Sequence, residues 1–75
     1  MPRLENERLE QFARCLAMGT DYEMCFRAVG YAPNELSARI MASRPEIRAR
    51  AEEFHEQQYP GEPYTHPTDR PRNAE

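Results

Sequence analysis

Apolar residues recur along the first part of the chain at the spacing of one helix face. Four of them stand at positions i, i+3, i+4 and i+7, namely Leu9, Phe12, Ala13 and Leu16. This spacing is typical of an amphipathic helix with one buried stripe. It predicts a first helix from about Leu4 to Met18, which Gly19 ends. The acidic residues of its early turns, Glu5, Glu7 and Glu10, are expected to form a solvated face that favours the positive end of the helix dipole.

A second helix is predicted from about Asp21 to Val29. Thr20 and Glu23 have the spacing of a capping box, in which each side chain binds a free backbone N–H group at the helix start. The predicted inner face consists of Met24, Cys25, Ala28 and Val29. Tyr22, Phe26 and Arg27 are expected to point outward or to flank that face.

The next residues predict a turn followed by a third helix. Gly30 is suited to the left-handed conformation that ends a helix, Tyr31 is placed to pack under both helices, and Pro33 suits a first helical turn. Only about three residues turn the chain, which is the pattern of a helix-turn-helix. Such turns occur both in DNA-reading modules and in helical domains that contact no DNA.

The third helix is expected to run from Pro33 to about Ala42. Its apolar positions Leu36, Ile40 and Met41 are predicted to face the core. The opposite side would then carry Glu35, Ala38, Arg39 and Ala42. The two alanines are four residues apart and would leave a low surface that allows close approach to a DNA groove or to another helix. The alternative is a solvated face on which small residues stand because of their helix propensity.

A fourth helix is predicted to begin at Pro45. Ser43 and Glu46 form a second capping box around this proline, and Ile47, Ala51, Phe54 and Gln58 follow on one face. Arg48 is spaced to pair with Glu52. From Tyr59 to Glu75 prolines are frequent and apolar residues few, so this segment is expected to be a disordered or extended Pro-rich tail.

These elements predict an all-α fold: a small four-helix domain over residues 1–58 that contains a helix-turn-helix, with a disordered tail over 59–75. The predicted core consists of Leu9, Phe12, Leu16, Met24, Ala28, Val29, Tyr31, Leu36, Ile40, Ile47 and Phe54.

Charge is distributed unevenly along the 75 residues. The net charge is −3, which divides into −2 for residues 1–26, +3 for 27–50 and −4 for 51–75. Every basic residue is arginine, which favours bidentate contacts to phosphate, guanine or carboxylate, although genome base composition explains such a bias equally well. The middle of the chain is therefore a locally basic segment between acidic ends.

Other sequence features argue against a membrane protein, a zinc protein and an enzyme. No apolar run approaches the length of a membrane span, and the N-terminus has no signal-peptide pattern, so we expect no membrane association and a cytoplasmic protein. Cys15 and Cys25 are expected to be buried thiols, and with His55 and His66 they do not form a zinc-site pattern. No catalytic motif is present, so we expect neither an enzyme nor a cofactor.

Residues 9–54 resemble the N-terminal domain of phage terminase small subunits. The resemblance is carried by Phe12, Leu16 and Gly19 and by the segments 27–33, 38–41 and 45–50, in this order and spacing. It implies a helical DNA-recognition domain that marks viral double-stranded DNA for packaging, in the cytoplasm of the host cell. It also implies two protein partners, namely the terminase large subunit and further copies of the chain in a homo-oligomer.

The DNA-binding hypothesis assigns seven residues. Asn34, Glu35, Ala38 and Arg39 are expected to face base edges, and Arg27, Arg44 and Arg48 to contact phosphates. The alternative is a small phage-type adaptor or regulator that binds a protein partner through the helical domain and the tail. The acidic balance favours this alternative, because acids at both ends of the chain repel DNA. The chain continues into the proline-rich tail in place of an oligomerisation region, and this also favours the adaptor.

Overall fold

The computed structural model describes residues 6–69, and its regular elements are all helical. The helices are α1 (Glu7–Ala17), α2 (Tyr22–Ala28), α3 (Glu35–Ala42), α4 (Pro45–Gln58) and a short 3-10 turn (Pro67–Asp69). No strand occurs within these residues. The predicted all-α class with four helices is confirmed. The part of the first predicted helix that precedes Asn6 lies outside the described residues.

Asx side chains cap three of the helices. Asn6 accepts a hydrogen bond from the backbone N–H of Arg8 at 2.8 Å, and Asp21 accepts one from Glu23 at 3.0 Å. Asn34 accepts one from Ser37 at 2.9 Å. The prediction of Thr20 as the cap of α2 was therefore wrong by one residue, because the Asp21 carboxylate is placed to accept from the second helical N–H group.

The boundaries of α3 and α4 also differ in part from the prediction. Pro33 precedes the cap of α3 and is not in its first turn. Pro45 is the first residue of α4 as predicted, but the N-cap residue Arg44 makes no side-chain cap. Ser43 does not form the predicted capping box, because its hydroxyl donates to the carbonyl of Arg39 at 2.8 Å, back in α3. Gly19 and Gly30 end α1 and α2 with φ of +90° and +104°, which agrees with their predicted role.

The core lies between α1 and α4, with α2 and α3 packed against it. The buried apolar residues are Phe12, Ala13, Leu16, Ala17, Tyr22, Cys25, Phe26, Ala38, Ala42, Ile47, Ala51 and Phe54. The predictions for Phe12, Leu16, Ile47 and Phe54 are thus confirmed. Leu9, Val29 and Tyr31 are partly buried against this cluster, and the Tyr31 ring stacks on Phe26 at 4.6 Å between centroids.

The predicted core was wrong at four positions on α2 and α3. Met24, Leu36 and Ile40 are 60%, 66% and 59% exposed, and Ala28 is also exposed. Tyr22 and Phe26, expected outside, are buried in their place. A ring at these positions fills the space between α1 and α2, where Phe26 meets Phe12 edge to face.

The orientation of α3 differs from the prediction at four positions, whereas Met41 is partly buried against the core as predicted. Ala38 and Ala42 are fully buried, whereas Leu36 and Ile40 point to solvent. The small side chains let α3 lie close to its neighbours, and close backbone approach buries more of the helix surface than a bulky residue at the same position would allow.

Cys15 and Cys25 form a disulfide that joins α1 to α2. Their Cα atoms are 5.7 Å apart, within the range that a disulfide spans. The prediction of two buried thiols was wrong, because the turn at Gly19 brings the end of α1 beside the middle of α2. Cys15 is also only partly buried.

The segment after α4 folds back onto the helices instead of leaving them. His66 is 2% exposed; its Nε2 lies 2.7 Å from the carbonyl oxygen of Ala42, and its Nδ1 lies 2.8 Å from the Tyr64 hydroxyl. Pro67 is buried as well. α4 ends at Gln58, and residues 64–69 of the segment predicted as a tail contact the helices in this structure. Residues 70–75 of the predicted tail lie outside the described residues.

Candidate nucleic-acid interface

Three arginines of the basic segment, residues 27–50, lie at the protein surface, at the ends of α2 and α3 and just before α4. Arg27 is in the last turn of α2, Arg39 is in the last turn of α3, and Arg44 immediately precedes α4. All three are exposed. Arg44 lies 3.9 Å from the Glu46 carboxylate, whereas Arg27 and Arg39 form no ion pair within residues 6–69. These guanidinium groups are therefore accessible to an anionic partner.

The start of α3 carries two further predicted residues at the surface. Asn34 and Glu35 are exposed, although the Asn34 side-chain oxygen also caps the helix. Ala38 is fully buried. Its assignment to the base edges of DNA was wrong, because the face of α3 that contains it packs on the domain.

Arg48 is held by residues of the segment that follows α4. Its guanidinium donates to Thr68 Oγ1 at 2.9 Å and to the two carboxylate oxygens of Asp69 at 3.2 and 2.8 Å. Hydrogen bonding to this carboxylate raises the pKa of Arg48, and the same contact lowers the pKa of Asp69. The ion pair of Arg48 with Asp69 takes the place of the predicted pair with Glu52. The predicted phosphate contact of Arg48 is also unavailable in this arrangement, because Asp69 occupies its guanidinium.

Arg50 forms an ion pair that the sequence reading missed. Its guanidinium bridges to the Glu10 carboxylate of α1, with side chains 12% and 5% exposed, and also binds Glu53 at 2.7 Å. The hydrogen bond to Glu10 raises the pKa of Arg50. Glu10 was predicted on a solvated face and is buried. The available signal was its spacing to Ala13 and Ala17, which places a carboxylate within an apolar stripe.

The outward face of α3 is apolar as well as basic. Leu36 and Ile40 are four residues apart on one helix face, and Arg39 lies beside them in sequence. The connection between α2 and α3 spans residues 29–34, about twice the three residues expected for a helix-turn-helix. The helix-turn-helix identity of this unit therefore stays a prediction.

The described residues offer no metal centre. No group of three or more histidine, cysteine, aspartate or glutamate side chains is arranged to hold a metal ion within residues 6–69. None of the helices in this range has the length and apolarity that crossing a membrane requires.

Comparisons with protein-family models, with curated proteins and with solved structures yield no match. The resemblance to terminase small subunits consequently rests on the residues quoted above.

Proposed function

We propose that this chain is a DNA-binding module of the phage terminase small-subunit type, which recognises viral DNA for packaging. The observation that supports it best is the exposure of three arginines within residues 27–44, namely Arg27, Arg39 and Arg44. Arg48 and Arg50, the remaining arginines of the basic segment, are paired with carboxylates at 2.8 and 2.5 Å. The contact of Arg44 with Glu46 is longer, at 3.9 Å, and about half exposed, so the three exposed guanidinium groups can bind phosphates.

The proposed interface differs from the one that the sequence predicted. Base edges are contacted by Asn34, Glu35 and Arg39, without Ala38. Phosphates are contacted by Arg27 and Arg44. Arginine is suited to both tasks, because its planar fork binds guanine and phosphate oxygens bidentately.

Salt dependence tests this proposal. If Arg27 and Arg44 each neutralise a phosphate, the slope of log K against log salt is about −1.8, so a fourfold rise in salt weakens binding roughly 12-fold. The measurement is the anisotropy of a labelled duplex titrated with the full chain at low and moderate salt. Arg39→Ala is expected to weaken binding by the loss of base contacts with little change of slope, whereas Arg27→Ala is expected to flatten the slope by about 0.9.

The matched control is Arg14→Ala. Arg14 has the same charge, but its guanidinium lies over the Phe54 ring at 4.5 Å, on the α1–α4 side of the domain. It is expected to leave the salt slope unchanged. An Arg39→Ala chain that binds duplex as tightly as the parent at every salt concentration would rule out the proposed interface.

A second candidate function is a small adaptor that binds a protein partner. The exposed pair Leu36 and Ile40 supports it, since adjacent large apolar side chains on one helix face are typical of protein contacts. The partner implied by the resemblance is the terminase large subunit. The adaptor predicts no salt-sensitive duplex binding, and Leu36→Ser with Ile40→Ser is expected to lower affinity for purified large subunit at least tenfold.

A further inference from the structure

The contact between Arg48 and the segment after α4 has the form of an occupied anion site. Two nitrogen atoms of the guanidinium face the two carboxylate oxygens of Asp69, and one of them also binds the Thr68 hydroxyl. This fork geometry matches a carboxylate and a phosphate equally, because both present two oxygens at similar spacing.

The position of Arg48 places this site beside the proposed DNA interface. Arg44 is the N-cap residue of α4, and its carbonyl accepts a hydrogen bond from the backbone N–H of Arg48 at 2.9 Å, so the two residues are one helical turn apart. Pro67–Asp69 also packs against α3. A phosphate backbone that contacts Arg44 therefore passes close to Arg48.

We propose that Arg48 and Thr68 form a phosphate-binding site that Asp69 occupies in the free protein, and that a DNA phosphate displaces Asp69 when the duplex binds. This inference rests on the proposed function. Asp69 then acts as an internal competitor that lowers affinity for DNA and adds a requirement for a correctly placed phosphate.

Two observations make this exchange feasible. The side chains of Arg48 and Asp69 are 40% and 52% exposed, so water screens their attraction and the pair is weak. The segment is anchored independently by His66, which contacts Ala42 and Tyr64. Asp69 can therefore leave Arg48 without releasing the rest of the segment.

Asp69→Asn and Glu52→Gln form a matched pair of variants for the test. Each removes one negative charge near Arg48, but only Asp69 is hydrogen-bonded to its guanidinium. Asp69→Asn is expected to bind labelled duplex roughly fivefold more tightly than the parent at low salt, with the same salt slope, because Arg48 contacts a phosphate in both complexes. Glu52→Gln is expected to change affinity less than about twofold, because it alters only the general field.

Arg48→Gln, alone and combined with Asp69→Asn, completes a double-mutant cycle. In that background Asp69→Asn is expected to give no more gain than Glu52→Gln, because the site that Asp69 covers is gone. Equal gains from Asp69→Asn and Glu52→Gln in the parent background would overturn the proposal. A gain from Asp69→Asn that survives Arg48→Gln would overturn it as well.

A phosphate titration separates this inference from the proposed function. Inorganic phosphate is added to each full-length chain while the side-chain Nε–Hε signal of Arg48 is followed by NMR. The signal is expected to shift and saturate in Asp69→Asn and to stay in place in the parent and in Glu52→Gln. If no variant binds duplex at all, the proposed function fails and this titration still decides the site. An unchanged Arg48 signal in Asp69→Asn would reject it.

Discussion

Small side chains determine how closely the helices of this domain approach one another. Five of the twelve buried apolar residues are alanines, namely Ala13, Ala17, Ala38, Ala42 and Ala51. At such positions the helix backbones themselves form much of the contact, and a longer side chain would force them apart. The volume of a residue is therefore a poor guide to its burial in this chain.

A pair of substitutions in α3 tests the observed orientation. Ala38→Leu is expected to destabilise the fold by about 1–3 kcal/mol, because a fully buried site has no room for three added carbons. Leu36→Ala is expected to change the free energy of unfolding by less than about 0.5 kcal/mol, since this side chain is 66% exposed. Urea unfolding monitored by circular dichroism measures both. The reverse order of effects would mean that Leu36 faces the core.

The buried ion pair between α1 and α4 gives a second test on single residues. Glu10→Ala removes a carboxylate from the Arg50 guanidinium, whose side chain is 12% exposed. Loss of one partner of a buried pair costs roughly 3 kcal/mol. The exposed Glu62→Ala serves as control. Equal unfolding midpoints for the two variants would contradict a structural role for Glu10.

At the scale of elements, the sequence predicts which helices exist better than it predicts how they are placed. The 3.6-residue period and the glycines at positions 19 and 30 locate four helices, because these signals are local. The inward face of α3 depends on what it packs against. The same holds for the disulfide and for His66, which contacts Ala42 across 24 positions of sequence. Contacts between residues distant in sequence produce no periodic pattern of apolar residues from which they could be predicted.

The disulfide is expected to contribute much of the stability of the α1–α2 pair. Its cysteines are ten residues apart, and closing a loop of this size stabilises a fold by roughly 2–3 kcal/mol. Reduction with dithiothreitol is therefore expected to lower the melting temperature by about 10–20 °C. Cys15→Ser with Cys25→Ser is the control and should melt like the reduced parent. A reduced chain that melts within about 2 °C of the oxidised one contradicts this role.

The contact between Arg48 and Asp69 predicts a pH dependence for the segment after α4. Hydrogen bonding to Arg48 lowers the pKa of Asp69 below its ordinary value of 3.8. The contribution of this carboxylate to stability is therefore complete above that value and disappears as pH falls through the lowered pKa. The melting temperatures of the parent and of Asp69→Asn should differ by a constant amount at neutral pH and converge as the pH falls below 3.8 through the lowered pKa. A difference that is the same at neutral and at acid pH would exclude the carboxylate as its source.

At the scale of the whole molecule, the arginine charge that is accessible at the surface depends on ion pairing as well as on the sequence. The basic middle segment carries five arginines. Of these, Arg48 pairs with Asp69 of the 3-10 turn, and Arg50 pairs with Glu10 of α1 and Glu53 of α4. The surface charge available to DNA is therefore smaller than the composition suggests. Pairing of this kind follows from tertiary contacts, so the sequence could not predict that Arg48 is bound to Asp69. The phosphate contacts of Arg27 and Arg44 stay a prediction.

Truncation tests whether the segment after α4 belongs to the folded unit. A chain ending at Gln58 lacks the contact of His66 with Ala42, the pair of Asp69 with Arg48 and the partly buried ring of Tyr64. The buried hydrogen bond of His66 at about 1 kcal/mol and the partly buried ring amount to roughly 2 kcal/mol, and the exposed pair of Asp69 with Arg48 adds little. The melting temperature should therefore fall by about 8–16 °C relative to the full chain. A chain ending at Asp69 is the control, because it keeps each of these contacts and should melt close to the parent. Equal melting of the chains ending at 58 and at 69 would show that residues 59–69 add nothing to the fold, as a disordered tail would.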